Sequence, residues 1–476
     1  MVVNPVEKKV KKSVWRTLRE IFFNKNVVIT ISITLILLLL FHIGSSITVP
    51  VISLPSNFAQ DDSFTSMLNL LAGGGLSKMS LFAVGVGPYI TAQIIVQLLS
   101  TDLIPPMSRM AKAGERGRRK LEVITRFLTL PFAIAQGYAI IALLLNSTGG
   151  SASQISIFGK SAIGDLSAGE IISLLVIFTG GTYICIFFGD MITKRGVGNG
   201  VTLIILAGIV ASFVPNFREA ITIIKGKFTP TEPDYLTNVV LSCTLYVLFF
   251  FVILIVVVFI NGSTRKIPIQ QTGQGLTTEI NNLPYLPIKL NSAGVIPVIF
   301  ASSLLTIPGT IAQFLPDTAY ASKSFITSYL SLNSWWGLAI YFVLIILFTF
   351  FYSYVQINPH QLTENFEKSG KFIPGVKNGE ATEKHITKVL NRVNWIGGPF
   401  LAIIAVLPYI LSKAIGVPSG LSLGGTGMII VVTGAVELWN SIKSSATTSG
   451  YNLTRTRIVG TNQPTIVKEE KQEQLW

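Results

Sequence analysis

Charged residues are scarce in this chain, and their scarcity excludes an ordinary soluble protein. Only 13% of the 476 residues are charged, whereas 50% are hydrophobic. A chain of this composition has too little polar surface to cover a water-soluble domain. The net charge of +14 would suggest a nucleic-acid partner in a soluble protein, but here the basic residues lie between the apolar runs. We therefore expect an all-α polytopic membrane protein.

Patterns typical of metal sites and of catalysis are also missing. The two cysteines, Cys185 and Cys243, lie inside apolar runs, which favours packing over a disulfide or a metal pair. The three histidines are far apart and lack ligand spacing. The glycines at 196–200 are not followed by the Gly-Lys-Ser/Thr of a phosphate loop. We expect no metal, no cofactor and no enzymatic activity.

Long apolar runs are what the chain has instead. A helix needs about 20 apolar residues to cross a bilayer, and ten runs come near that length. The first resembles a signal anchor without a cleavage site. The ten predicted spans are 27–49, 80–100, 121–145, 168–192, 201–214, 239–260, 293–314, 335–356, 393–411 and 421–442.

The basic residues predict the orientation of these spans. If both termini face the cytosol, 29 of the 37 Lys and Arg residues lie in cytosolic segments and only 7 in outer ones. An excess of Lys and Arg marks the cytosolic side of a membrane protein. We therefore expect both termini in the cytosol.

The stretch 68–100 is unlike a simple lipid anchor. It contains the glycine run 73–75, the sequence Gly-Val-Gly-Pro at 85–88, and the polar residues Thr91, Gln93 and Gln97. Loosened backbone and amide side chains in hydrocarbon need protein or water as partners. The stretch therefore predicts a cavity or a helix interface. Small residues for close helix packing would explain the glycines about as well.

Two predicted cytosolic loops, 102–120 and 357–392, are basic and punctuated by glycine. Such loops suit docking to a large polyanion or to an acidic protein face. A merely solvated topological signal would explain their charge, but not the Phe-Ile-Pro-Gly sequence at 372–375. We favour docking.

Several motifs together resemble the SecY family, the pore subunits of the bacterial protein-conducting channel. The resemblance runs from the first span to about residue 451. It is carried by residues 68–99, GERGRRK at 114–120, TKRGVGNG at 193–200, residues 290–303, NPHQLTEN at 358–365, residues 369–380 and GGTG at 424–427.

The resemblance implies a fold of ten transmembrane helices in two pseudo-symmetric five-helix halves, forming an hourglass pore with a plug and a lateral gate. The first half would cover 27–214 and the second 239–442, joined by an outer hinge loop at 215–238. A basic N-terminal tail (1–26) and a C-terminal tail (443–476) would both lie in the cytosol, with the protein in the cell membrane.

The same resemblance implies the site residues. A collar of branched aliphatic side chains excludes ions by dewetting and adapts to any polypeptide, although each residue alone would be ordinary core. The implied pore ring is Val86, Ile90, Val201, Ile205, Ile299 and Ile430. The implied plug, about 63–75, includes Ser63, Leu68, Leu71, Gly73, Gly74 and Gly75, and the implied polar seam of the lateral gate is Thr91, Gln93 and Asn291.

The implied partners are the SecE and SecG subunits, the ribosome, the SecA motor ATPase, signal sequences, nascent chains and membrane lipid. Docking of ribosome or motor would use Arg109, Arg116, Arg118, Arg119, Arg265, Lys266, Lys371 and Lys377. The loop 261–291 is less basic than is usual in the family, and Lys377 and His42 stand where arginine is common. The low charge of the loop predicts weaker docking through it, and lysine at 377 keeps the charge but loses the planar fork of arginine, which puts the strength of the contact there in question.

The resemblance implies a function: translocation of unfolded secretory polypeptides, and lateral insertion of membrane proteins, through a passive pore. A secondary solute transporter is the alternative from another class, and a structural membrane scaffold is a third. A coupled transporter usually needs a charge at mid-depth, and the five charged residues within the spans lie near predicted cytosolic ends. They are Glu122, Arg126, Asp190, Lys194 and Glu437.

Overall fold

The structure is a computed structural model that describes most of the chain. The described residues are 25–53, 68–69, 72–76, 78–100, 105–146, 156–160, 165–226, 235–271, 284–314, 325–326, 328–332, 334–415 and 426–460.

Helices make up most of the described structure, as the all-α prediction requires. They are α1 (Lys25–Gly44), α2 (Gly87–Ser100), α3 (Pro105–Lys112), α4 (Gly114–Asn146), α5 (Ala168–Arg195), α6 (Gly200–Gly226), α7 (Tyr235–Gly262), α8 (Ile296–Phe314), α9 (Trp335–Ile357), α10 (Pro359–Lys368), α11 (Glu380–Ile415) and α12 (Thr426–Gly460).

Each of the ten predicted spans overlaps one of these helices, and α3 and α10 are the two that lie between spans. Five described segments are long and apolar enough to cross a membrane: Val27–Gly44, Gly114–Leu145, Ala168–Arg195, Trp335–Lys368 and Glu380–Ile410. Shorter apolar helices cover Gly200–Phe213, Val247–Gly262 and Ile296–Ala312. The chain is a multi-pass membrane protein.

Two predicted boundaries differ from the structure. The second span begins with turns, and α2 starts only at Gly87, where Pro88 suits the first helical turn because its missing N–H has no intrahelical acceptor there. The predicted hinge loop 215–238 is partly helical, since α6 continues through Pro215 to Gly226 and α7 begins at Tyr235. Residues 227–234 lie outside the described part of the chain.

Short strands occur between the helices. They are β1 (Ile52–Ser53), β2 (Ser156–Ile157), β3 (Thr264–Pro268), β4 (Gln270–Gln271), β5 (Tyr285–Lys289) and β6 (Lys371–Phe372). Three antiparallel pairs form: β1 with β2, β3 with β5, and β4 with β6. The last pair joins the loop between α7 and α8 to the loop between α10 and α11, with Gln270 opposite Phe372.

The buried apolar side chains form separate clusters. The largest joins residues of α1, α2, α5–α9, α11 and α12. A second one packs the turns before α2 against α4 and α5. A third lies under the strands β3–β6 and includes Ile267, Ile288, Phe366 and Ile386. The two loops joined by β4 and β6 therefore form one unit with its own apolar core.

Candidate functional site

The six residues of the predicted pore ring come from α2 and the turn before it, α6, α8 and α12, and they meet in the largest apolar cluster. Five of them are buried: Val86, Ile90, Ile205, Ile299 and Ile430. Val201 is half-buried and packs against the same cluster. Because the cluster contains many other residues of the same kind, the choice of these six as a constriction stays a prediction.

The glycine segment, which we define as residues 72–76, lies in direct contact with α6. A Cβ built on Gly208 would stand 2.0 Å from the carbonyl oxygen of Gly73, far inside van der Waals contact. A Cβ on Gly74 would stand 2.9 Å from Oγ of Ser212, one turn further along α6. The glycine segment can lie this close to α6 only because Gly74 and Gly208 lack side chains.

Backbone conformation is a second reason for glycine in this segment. Gly73 and Gly74 have φ angles of +65° and +84°, and Gly85 has +60°. Such angles are available to glycine at little cost and are strained for other residues. At Gly85, a Cβ would also stand 2.3 Å from Cα of Ala72. The segment is therefore folded back tightly against the start of the second span.

The glycine segment is surrounded by apolar side chains. Leu68, Ala72, Leu76 and Met79 are all buried and belong to the cluster that includes Phe178 of α5. Two further plug residues of the prediction, Ser63 and Leu71, lie outside the described residues. The described part of the predicted plug is thus a buried element of the fold.

The three residues predicted to form a polar gate seam do not share hydrogen bonds in the described structure. Thr91 is buried, but its hydroxyl donates to the carbonyl oxygen of Gly87 in its own helix at 3.1 Å. Gln93 is exposed. The Nδ2 of Asn291 donates to Oδ1 of Asn261 at 2.9 Å. The hydrogen bonds of Thr91 and Asn291 thus stay within one helix or within the second half, and the role of the three residues as a gate seam stays a prediction.

Asn291 belongs instead to a buried polar network at the base of α8. Nδ2 of Asn261, at the end of α7, donates to Oγ1 of Thr433 on α12 at 2.8 Å. The next residue, Ser292, places its Oγ 2.9 Å from Oγ of Ser353 on α9 and 3.5 Å from Oδ1 of Asn394 on α11. Two adjacent residues thereby tie the start of α8 directly to α7, α9 and α11, and through Asn261 to α12.

Sequence reasoning missed most of this network because it searched the spans for charges. The available signal was the uncharged amide of Asn261 or Asn394 within or next to an apolar run. Such a group needs a partner when it is buried. Its partner could not be read from the sequence, because Asn261 and Thr433 are 172 residues apart.

An ion pair crosslinks two helices of the first half. Nη2 of Arg126 on α4 lies 2.6 Å from Oδ2 of Asp190 on α5. The hydroxyl of Tyr183, also on α5, donates to the carbonyl oxygen of Arg126 at 2.8 Å. The sequence signal was a pair of opposite charges at similar predicted depth in consecutive spans.

The predicted docking residues occupy two exposed surfaces. Arg109, Arg116, Arg118 and Arg119 are exposed on α3 and α4, where Arg119 pairs with Glu115 at 2.8 Å. A Cβ on Gly117 would stand 1.8 Å from the carbonyl oxygen of Met110, so α3 packs closely on α4. This hairpin presents its arginines from a folded element.

The second surface is the strand-linked unit of two loops. Arg265 and Lys266 are exposed on β3, with Nζ of Lys266 4.8 Å from the ring centroid of Tyr285. Lys371 is half-buried on β6, and Lys377 is exposed in the following turn. These four residues lie on one folded unit because β4 pairs with β6.

Among the described residues, no group of three or more His, Cys, Asp and Glu side chains is arranged to hold a metal ion. Cys185 is buried and Cys243 is half-buried, and both are free thiols.

The fold and the candidate site define a class: a polytopic α-helical membrane protein with an apolar centre and a buried glycine segment that packs against α6. A family model described as SecY matches residues 80–439. Together with the relatives below, this match shows that the chain belongs to the SecY family.

Relatives over nearly the whole chain are named protein translocase subunit SecY. The one from Mycoplasmoides gallisepticum is 53% identical over 436 residues, covering 91% of this chain and 85% of the relative. The one from Mycoplasma pneumoniae is 49% identical over 469 residues, covering 98% and 96%. The Staphylococcus aureus relative is 38% identical, covering 92% and 98%.

Solved structures share the fold at low sequence identity. A structure of a protein-conducting channel has a TM-score of 0.60 at 16% identity, covering 88% of this chain and 93% of that one. A structure concerned with the plug domain of the SecY protein has a TM-score of 0.61 at 17% identity, covering 88% and 92%. These likenesses confirm the predicted fold class.

Proposed function

We propose that this chain is the pore-forming subunit of a protein translocase. It passes unfolded secretory polypeptides across the membrane and releases transmembrane segments sideways into lipid. The observation that carries the proposal is the close contact of the glycine segment with α6, a helix of the buried aliphatic cluster. The names of the relatives, protein translocase subunit SecY, support the same activity.

The aliphatic ring and the glycine segment act as two seals in series. A narrow collar of Val and Ile side chains offers no hydrogen bonds to water, so ions do not enter it. The same side chains adapt to any polypeptide because they bind no particular sequence. The glycine segment closes the path beside the ring until a polypeptide displaces it, and the left-handed angles of Gly73 and Gly74 supply the hinge.

Lateral release uses the contact between α2 and α8. Thr91, Gln93 and Asn291 border this gate, where a hydrophobic helix can replace weak interactions. The network around Asn291 holds the base of α8 to the rest of the second half. When the gate opens, α8 therefore moves together with α9, α11 and α12 as one body, and the first half moves against it about residues 215–238.

The energy for translocation comes from partners. The chain works with SecE and SecG subunits in the cell membrane, with both termini in the cytosol, and the ribosome and the SecA motor ATPase dock on the two arginine- and lysine-bearing surfaces. One solved structure of the same fold is described as Sec61 in a ribosome–channel complex, with a TM-score of 0.56. The exposure of Arg116, Arg118 and Lys377 supports docking from the cytosolic side.

Reconstitution tests the proposal. The full chain with its SecE and SecG subunits is placed in lipid vesicles, and a secretory precursor is added with SecA and ATP. We expect the precursor to become resistant to external protease, and vesicles without the chain to give no protection. Uptake of a small solute without protection of any precursor would contradict the proposal and favour a solute transporter.

A further inference from the structure

A groove of about 470 Å³ runs along a solvent-accessible face of α11 from Glu383 to Trp395. It begins in the predicted cytosolic loop 357–392 and ends at the start of the ninth span. The distance along the helix axis is about 18 Å at 1.5 Å per residue. The groove therefore extends from the predicted polar loop to the start of the predicted apolar span.

The polar end of the groove is basic. Lys384, Lys388 and Arg392 follow one another at intervals of four residues, so they lie on one face of α11. Lys384 is paired with Glu380 at 2.6 Å. Lys388 and Arg392 are exposed and have no ion-pair partner within the described part of the chain. Two positive charges are thus available next to the single carboxylate of Glu383.

The middle of the groove adds neutral donors. The hydroxyl of Tyr354 on α9 donates to Oδ1 of Asn391. This bond occupies the acceptor of the amide and leaves its two Nδ2 hydrogens for the groove. Thr387 lines the same stretch. Ammonium, guanidinium and amide donors in a row suit the oxygens of a phosphate group.

The far end of the groove is aromatic and apolar. Trp395 is 70% exposed, and its ring meets Phe350 of α9 edge to face, with 5.8 Å between centroids. Ile396 is 62% exposed beside it, and Ile403 and Ile410 continue the exposed apolar surface along α11. Tryptophan is enriched where hydrocarbon meets headgroups. Trp395 therefore suits a position at the level where the lipid chains begin.

We propose that this groove binds an anionic phospholipid, with the headgroup phosphate at Lys388 and Arg392 and the upper acyl chains against Trp395. A soluble polyanion or an acidic peptide would use the basic end but would leave the ring of Trp395 unoccupied. A ligand that joins a negative headgroup to acyl chains matches both ends. Basic pockets at the cytosolic ends of spans are suited to such headgroups.

The site shares no residue with the predicted docking residues. Its residues lie on the solvent-accessible face of α11, whereas Arg265, Lys266, Lys371 and Lys377 lie on the strand-linked unit and the turn after it. The proposal does not depend on which polypeptide the channel carries.

Quenching of Trp395 fluorescence by brominated lipid tests the proposal. The full chain with its co-purified subunits is placed in nanodiscs of phosphatidylcholine that contain a minor fraction of brominated phosphatidylglycerol or, separately, the same fraction of brominated phosphatidylcholine. The difference between the unaltered protein and Trp395→Phe isolates the signal of this one tryptophan. The ratio of quenching by the two brominated lipids measures local enrichment of the anionic one.

We expect clear enrichment for the unaltered protein, since each basic residue near an anionic lipid contributes roughly a fivefold preference. The double variant Lys388→Gln, Arg392→Gln should lose it, and the charge-preserving variant Lys388→Arg, Arg392→Lys should keep it. The matched control Lys120→Gln, Lys368→Gln removes the same charge elsewhere and should leave the ratio unchanged.

Three results would overturn the proposal. An equal ratio in the unaltered protein and in Lys388→Gln, Arg392→Gln would show that the groove does not select the lipid. An equal loss in the control variant would show a response to total charge only. Enrichment in the isolated chain that disappears in the complex would show that a protein subunit covers the groove.

Discussion

The carbonyl oxygen of Gly73 lies only 2.0 Å from the position that a Cβ on Gly208 would occupy. The two residues are 135 positions apart in the chain, yet a side chain on Gly208 would collide with the backbone of Gly73. This contact fixes the glycine segment on α6. A substitution at either position therefore acts on the closed state of the channel.

Gly208→Ala should make the resting channel leak ions. The added methyl group meets backbone, which cannot move aside as a side chain can, and such overpacking costs about 1–3 kcal/mol. The cost falls on the closed state, because a displaced glycine segment no longer meets α6. Ion conductance of reconstituted vesicles in the absence of polypeptide is the measurement, and a rise is expected.

The control for this variant is Gly180→Ala on α5, where a Cβ would meet nothing within 4 Å. It makes the same chemical change in an open position and should leave the conductance at the unaltered level. Equal conductance for Gly208→Ala and the unaltered protein would contradict the assignment of the glycine segment as a seal.

Polar substitution of the ring should also raise the leak. Ile90→Asn with Ile299→Asn introduces amides that hydrogen-bond water, so the collar no longer excludes it by dewetting. Ion flux in vesicles should increase, and Ile90→Leu with Ile299→Leu should stay sealed because it remains aliphatic. Unchanged flux in the asparagine variant would favour a structural scaffold or a different constriction.

Asn291→Leu should destabilise the second half. It removes the donor to Oδ1 of Asn261, and a buried polar atom left without its partner costs about 1–3 kcal/mol. Thermal unfolding of the purified protein should shift to lower temperature. The double variant Asn291→Leu, Asn261→Leu should be destabilised by less than the sum of the two single variants, because the second change removes the orphaned group.

Gln93→Leu provides the matched control for that measurement. Gln93 is exposed, so the same polar-to-leucine exchange should leave the unfolding temperature nearly unchanged. A fully additive pair at Asn261 and Asn291 would show that their hydrogen bond contributes no coupling.

Neutralising Arg116 and Arg118 should weaken ribosome binding and reduce its salt dependence. For every phosphate that the protein no longer neutralises, the slope of log affinity against log salt falls by roughly 0.7–0.9. Binding of ribosomes to the reconstituted complex over a salt series gives this slope. Arg218→Gln, on the predicted outer side, should leave both affinity and slope unchanged, and an unaltered slope in Arg116→Gln, Arg118→Gln would place docking elsewhere.

Some features of the fold are encoded by a local sequence pattern, and others are not. The ten spans could be predicted because a run such as 335–356 is apolar along its whole length and forms α9. The helical continuation of α6 past Pro215 was not foreseen, since a proline after an apolar run usually marks an end, whereas here it lies inside the helix.

The site shows the same division. The glycine run at 73–75 was recognisable because only glycine adopts positive φ angles easily, and Gly73 and Gly74 do so. Its contact with Gly208 was not predictable, because it depends on the packing of two distant backbones. The pairing of Gln270 with Phe372 was missed for a similar reason: two-residue strands carry no alternating pattern.

The most direct test of the central claim is a photocrosslink from position 299. A photoreactive amino acid replaces Ile299 in membranes that carry a ribosome stalled on a secretory chain, with a ribosome stalled on a cytosolic chain as control. We expect a crosslink to the secretory chain alone, because the proposed pore ring places Ile299 in the path of the polypeptide. A bound ribosome and intact insertion without any crosslink would contradict the proposed pore.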